Sequence, residues 1–357
     1  MKKKTLLMLC LALSLVSLAT AEEPIGVFAN SNTNCIQFID PVTQTVSASL
    51  LKGNLGSYGG GLFDVVITSD GKTTIVSNFG DQMIFFIDIS GGFYVKPNIL
   101  GYRKIPFFAE DMALTPDDKY VLITDGGFSG WIGVVDIASR KLVYSHNFTN
   151  VYSNAISISP DGQTVLTADY SHDKINLFML QPDGILTYVK SKNIRPHHPV
   201  NVAISPDGKT VIAVSANWFE IPVFSIIPGD LDFKGDVDLR YKTGQCCVFS
   251  SDGTKAYYLS NNPVHRAVIE VLDVTGPGQV SPTGINIPAR PKKGISQLFG
   301  VDTIAIDPSG NYLYVTNPTV SGGVTRISII DLTINAQVKY IEAGGIPTGI
   351  AFAIIKD

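Results

Sequence analysis

Val202-Ala203-Ile204-Ser205-Pro206-Asp207-Gly208-Lys209-Thr210-Val211-Ile212-Ala213-Val214 decides the fold. A short apolar run meets a four-residue turn, and a β-branched run leaves it. Pro presets φ for the turn, Asp bonds back to its own backbone, and Gly accepts positive φ. The stretch therefore predicts two antiparallel strands. The same tetrad recurs as Thr68-Ser69-Asp70-Gly71, Thr115-Pro116-Asp117-Asp118, Ser159-Pro160-Asp161-Gly162, Ser250-Ser251-Asp252-Gly253 and Asp307-Pro308-Ser309-Gly310. In chain order the third residues of the six tetrads lie 47, 44, 46, 45 and 57 apart. A period near 45 residues matches one four-stranded propeller blade.

The flanks agree with that reading. Val65-Val66-Ile67, Met112-Ala113-Leu114 and Ile304-Ala305-Ile306 precede their turns, and Tyr120-Val121-Leu122-Ile123-Thr124 and Tyr312-Leu313-Tyr314-Val315-Thr316-Asn317 follow theirs. A third strand closes on Asp in Phe85-Phe86-Ile87-Asp88, Val134-Val135-Asp136, Glu270-Val271-Leu272-Asp273 and Ile329-Ile330-Asp331. Short strands at regular spacing without a helical period predict an all-β array.

Six turns do not complete a ring, and the chain ends supply the seventh blade. Ile25-Gly26-Val27-Phe28-Ala29-Asn30 matches the strand after a turn, and Cys35-Ile36-Gln37-Phe38-Ile39-Asp40 the third strand. The missing innermost strand is Pro347-Thr348-Gly349-Ile350-Ala351-Phe352, which parallels Pro199-Val200-Asn201-Val202-Ala203-Ile204. The prediction is an all-β, seven-bladed propeller of four-stranded blades. N- and C-terminal strands share one blade and remove the open edges.

This repeat resembles the YVTN-type seven-bladed propellers, whose tetrapeptide stands here as Tyr314-Val315-Thr316-Asn317. The resemblance covers almost all of the chain after residue 21. It implies the fold strongly and the activity weakly, since such propellers include surface proteins, lactonases and subunits of redox enzymes.

Lys2, Lys3 and Lys4 precede the thirteen-residue apolar run Leu6–Leu18, and Ala19-Thr20-Ala21 has a small-x-small pattern. Residues 1–21 read as a signal peptide and 22–357 as a single propeller domain, exported to a periplasm-like compartment. The apolar run is shorter than the roughly 20 residues of a membrane span, so no membrane anchor is expected. Loss of the three lysines takes the formal charge from −4 to −7. An acidic chain without a dense basic stripe is not built for nucleic acid. Three cysteines remain after the signal, Cys35, Cys246 and Cys247, an odd number that makes no disulfide framework. Adjacent strand residues face opposite ways, so Cys246 and Cys247 read as small hydrophobes rather than a metal pair. No C-x-x-C-H occurs, so no haem is expected to be covalently bound. Asn147-Phe148-Thr149 fits a glycosylation acceptor, a pattern that also arises by chance.

Counting six residues back from the third turn position marks one slot on each inner strand: Asp64, Asp111, Ala155, Asn201, Cys246 and Thr303, with Gly349 in the closing blade. Asp64, Asp111 and Asn201 form a candidate cation site in the channel, because carboxylate and amide oxygens suit Ca²⁺. The competing reading satisfies these groups with water and neighbouring backbone. His197-His198, just before an inner strand, is a candidate pair at the channel mouth without a zinc-motif spacing. The 57-residue step carries Ile287–Phe299, whose Arg290, Lys292, Lys293, Leu298 and Phe299 read as a partner-contact loop or as a solvated connector.

No serine-nucleophile elbow and no phosphate-cradling glycine loop appears. The leading expectation is a non-catalytic scaffold in an exported multi-subunit redox complex. Size, signal and missing haem motifs make the chain similar to the haem-free propeller (beta) subunit family of hydrazine synthase from anammox bacteria. That resemblance implies multihaem cytochrome-type partner chains, formation of hydrazine from nitric oxide and ammonium, and the anammoxosome lumen as location. The alternatives are a lactonase-like hydrolase, with Asp64, Asp111 and His197 or His198 at the channel mouth, and a surface or adhesion propeller.

Overall fold

In each repeated turn the first residue ties the hairpin together. Thr68, Thr115, Ser159, Ser205 and Ser250 each accept, on the side-chain oxygen, the backbone N–H five residues on at 2.9–3.0 Å. Each donates its hydroxyl to the turn Asp two residues later. The last turn swaps the parts: Asp307 accepts from Tyr312 N at 2.8 Å, and Ser309 Oγ donates to Asp307 at 2.7 Å. Asp118 stands where the other turns have Gly and takes a φ of 55°. Its carboxylate accepts Ser69 N–H of the neighbouring turn at 2.8 Å, a bond that Gly could not make.

The structure is a computed structural model and describes residues 22–356 except 49, 57–60, 128, 150, 195–196, 217, 263–265, 290–302 and 318–324. Those residues hold twenty-eight β-strands, β1–β28 in chain order, and no helix. They form seven four-stranded antiparallel sheets. Blade 1 has the order β28-β1-β2-β3, where β28 is Pro347–Ile355, β1 Glu23–Asn30, β2 Cys35–Asp40 and β3 Thr45–Val46. Gly26 pairs with Phe352 and Phe28 with Ile350, so the chain ends knit one sheet as the sequence predicts. Blades 2 to 7 take the remaining strands four at a time. Their inner strands are β4 (Leu62–Ile67), β8 (Ala109–Leu114), β12 (Ala155–Ile158), β16 (Pro199–Ile204), β20 (Thr243–Phe249) and β24 (Ile304–Ile306).

The apolar side chains fill the seven gaps between blades rather than a single centre. In β17 (Thr210–Ser215), Val211 and Ala213 pack towards blade 4 while Ile212 and Val214 pack towards blade 6. Both faces of such a strand are buried, which is why these runs are continuously apolar instead of alternating. Cys246 and Cys247 likewise enter opposite gaps, are buried and form no disulfide. Burial pushes the Cys247 thiol far above its ordinary pKa, so it is inert packing.

Part of the 57-residue step is regular structure. β22 (Arg266–Gly276) and β23 (Gln279–Ala289) are eleven residues each and extend an outer hairpin, so Ile287–Ala289 are strand. Arg290, Lys292, Lys293, Leu298 and Phe299 lie outside the described residues, as does the predicted signal segment 1–21.

Candidate functional site

Antiparallel order gives the disc two unlike faces. The six tight turns lie on one. The start of each inner strand, the end of the second, the start of the third and the end of the fourth lie on the other. Every candidate histidine falls on this second face, where connectors between blades enter.

The predicted channel acids are part of the frame. β-bulges interrupt the inner pairing at residues 62–65 and 109–112, and a bulge re-aims the side chains within it. Asp64 and Asp111 are 0 % and 1 % exposed. Asp64 Oδ2 accepts Met112 N at 2.9 Å, and Asp111 Oδ2 accepts Ile156 N at 2.7 Å. Each carboxylate thus bonds the inner strand of the next blade, which is the backbone reading of these slots. Asn201 is also buried, two blades from Asp111 on β16. Gly349 of β28 packs against β4, where a Cβ would come within 2.6 Å of Asp64 Oδ1 and 2.7 Å of its Cα.

Beside these slots is Glu110, unmarked by the turn spacing. It is 7 % exposed, and its Oε2 meets no hydrogen-bond donor among the described residues. Burial and the neighbouring Asp125 charge hold its pKa well above the carboxyl range, against the Asn154 amide. Phe63, Phe79 and Phe108 stack in sequence with centroids 5.1 Å apart, and the ring of Phe79 and the Glu110 carboxyl both border Gly126.

The predicted His197-His198 pair divides between two blades. His198, with φ 46°, turns its Nδ1 to Asp173 at 3.0 Å. His197 points the other way. It is 4 % exposed and lies between β15 (Leu186–Asn193) of blade 4 and β16 of blade 5. There it meets Glu220, which opens β18 (Glu220–Ile227), and Asp236 of β19 (Asp230–Asp238). The pairing Pro222↔Asp236 brings the two carboxylates to the same end of the blade. Imidazole nitrogen and carboxylate oxygens of the three residues all lie within 4.8 Å of one another.

The hydrogen bonds fix how these groups face. His197 Nδ1 is 3.2 Å from the Glu220 carbonyl oxygen, which only accepts, so Nδ1 carries the proton. Nε2 then faces Asp236 Oδ1 at 3.5 Å. Trp218 Nε1 donates to Glu220 Oε2 at 3.2 Å. Burial raises the Asp236 pKa, Glu220 and Asp238 add to the rise, and His197 opposes it. A pocket of about 320 Å³ opens beside the group, walled by Ile194, Pro222, Phe224 and Phe233 with Lys192 at its rim. It lies among outer strands and not at the channel mouth. Sequence reasoning named His197 but missed Glu220 and Asp236, which no local spacing connects to it.

Comparison with known proteins bears on the fold. The family model described as lactonase, 7-bladed beta-propeller, matches residues 137–249. That stretch contains His197, Glu220 and Asp236. A functionally unknown protein from Desulfotomaculum acetoxidans superposes with a TM-score of 0.80 at 18 % identity, covering 92 % of this chain and 98 % of that one. The periplasmic gluconolactonase of Pseudomonas aeruginosa does so with a TM-score of 0.73 at 16 % identity, covering 93 % and 99 %. Kuenenia stuttgartiensis hydrazine synthase gives 0.61 at 19 % identity, covering 81 % and 87 %. The likeness is one of fold. A search of curated protein sequences finds no match.

Proposed function

We propose that this chain is a lactonase-like hydrolase that opens small cyclic esters in the pocket between blades 4 and 5. The observation that carries the reading is one imidazole nitrogen and two carboxylates within 4.8 Å of one another beside that pocket. Three such acceptors draw a proton from water held among them. The water oxygen adds to the lactone carbonyl carbon, the ring C–O bond breaks, and the ring oxygen leaves with a proton. The product is a hydroxy acid. The pocket is of the size that takes a small ring. Two further facts support the reading: the lactonase family model spans this part of the chain, and a gluconolactonase is among the similar folds. It moves the site from the channel mouth expected for a hydrolase to the outer strands of blade 5.

A second reading keeps the chain as a haem-free scaffold in an exported redox complex, favoured by the likeness to Kuenenia stuttgartiensis hydrazine synthase. The two separate cleanly. Each lactone opened releases one proton, so a pH-stat follows purified chain with five- and six-membered lactones. The hydrolase reading expects enzyme-proportional acid release with lactones. Silence with every lactone, together with multihaem chains co-eluting from the native source, would replace it with the scaffold reading.

A further inference from the structure

Three histidines among the described residues face a carboxylate, and one of them does so differently. His172 and His198 offer Nδ1 to Asp169 and Asp173 at 3.1 and 3.0 Å, as ordinary hydrogen-bonded pairs do. His197 has Nδ1 occupied by a backbone carbonyl and turns Nε2 to the carboxylate group instead. With the ring neutral, Nε2 and Asp236 Oδ1 are both acceptors, and Glu220 adds a third. Acceptors this close to one another repel unless a positive centre lies between them.

We propose that His197, Glu220 and Asp236 hold a divalent cation, Zn²⁺, with one coordination position open to the pocket. Zn²⁺ takes imidazole and carboxylate ligands at about 2.0–2.2 Å, which places ligand atoms about 3.3 Å apart around a tetrahedron. The Nε2–Asp236 separation of 3.5 Å is already close to that edge. The ligand atoms of all three residues lie within 4.8 Å of one another. The surrounding bonds are those that orient metal ligands: Nδ1–H of His197 donates to a carbonyl, and Trp218 Nε1–H donates to the Glu220 carboxylate. One imidazole with two carboxylates leaves the fourth position to water, as catalytic zinc sites do. The catalytic meaning of the ion rests on the hydrolase reading above, while its binding does not.

The test uses the full purified chain, stripped by chelator and titrated with ZnCl₂ by calorimetry, with Co²⁺ absorption reporting geometry. One equivalent of Zn²⁺ is expected, with Co²⁺ giving the intense visible bands of a tetrahedral site. Asp236→Asn, at a part-exposed position that the fold tolerates, should weaken Zn²⁺ at least tenfold. His197→Ala should remove it, and His198→Ala should bind as the parent does. Absence of stoichiometric binding overturns the inference, and so does binding undiminished in Asp236→Asn. Zinc bound at these residues without lactone opening would leave the site standing and sink the hydrolase reading. Lactone opening by stripped protein that takes up no zinc would do the reverse.

Discussion

Single side chains in this protein divide into those that build the frame and those left over from it. Asp64 and Asp111 were located by the turn spacing alone, and spacing says nothing of what lies across the blade gap. One oxygen of each accepts a backbone N–H of the next inner strand. Glu110 is a buried carboxyl whose Oε2 meets no donor among the described residues. Burial and the Asp125 charge hold its folded-state pKa well above the usual carboxyl range. Its stability contribution is therefore complete below about pH 4.5 and is lost as pH rises towards the raised value. Glu110→Gln has no proton to lose. Denaturant midpoints at a series of pH values should show the parent falling relative to Glu110→Gln above pH 4.5, by at most about 1.4 kcal/mol per pH unit. Parallel curves would show that the carboxyl is ionised in the folded protein. The turn hydroxyls were half legible: Pro, Asp and Gly announced the turn, but the accepting role of Ser205 and its counterparts appears only once the strands are paired.

At the scale of strands, the inner and central ones were legible and the outer ones were not. Runs such as Val211–Val214 are apolar on both faces because both face a neighbouring blade. The fourth strands are half exposed, and the pairing of third with fourth strand shifts register in each of blades 2 to 7. That shift erases the two-residue period by which an edge strand is read. Closure by β28 depends on its close approach to β4 at Gly349. Gly349→Ala puts a methyl against Asp64 backbone and should cost about 1–3 kcal/mol, read as a lower denaturant midpoint with the transition slope unchanged. A variant as stable as the parent would mean that the closing strand has slack there. The candidate site was poorly legible for a related reason. His197, Glu220 and Asp236 stand on three elements, and only the pairing of β18 with β19 brings the two carboxylates together.

The whole molecule is a ring of seven sheets whose two faces do different work. One face is spent on turns that repeat the same hydrogen bonds. The other gathers Glu110, the phenylalanine stack and the His197 group, none of which the turns or the blade contacts require. The likeness to lactonases and to hydrazine synthase lies in this shared ring, so it cannot choose between them. The chemistry of one pocket can. The most direct measurement is the rate of lactone opening by Asp236→Asn beside that of Asp64→Ala, each assayed where it is fully folded. The account predicts that Asp236→Asn loses about 10²-fold or more in kcat/KM, while Asp64→Ala keeps the parent rate and loses about 1–3 kcal/mol of stability from the unpaired Met112 N–H. An Asp64→Ala protein that is stable but inactive, beside a fully active Asp236→Asn, would return the site to the channel and contradict the account.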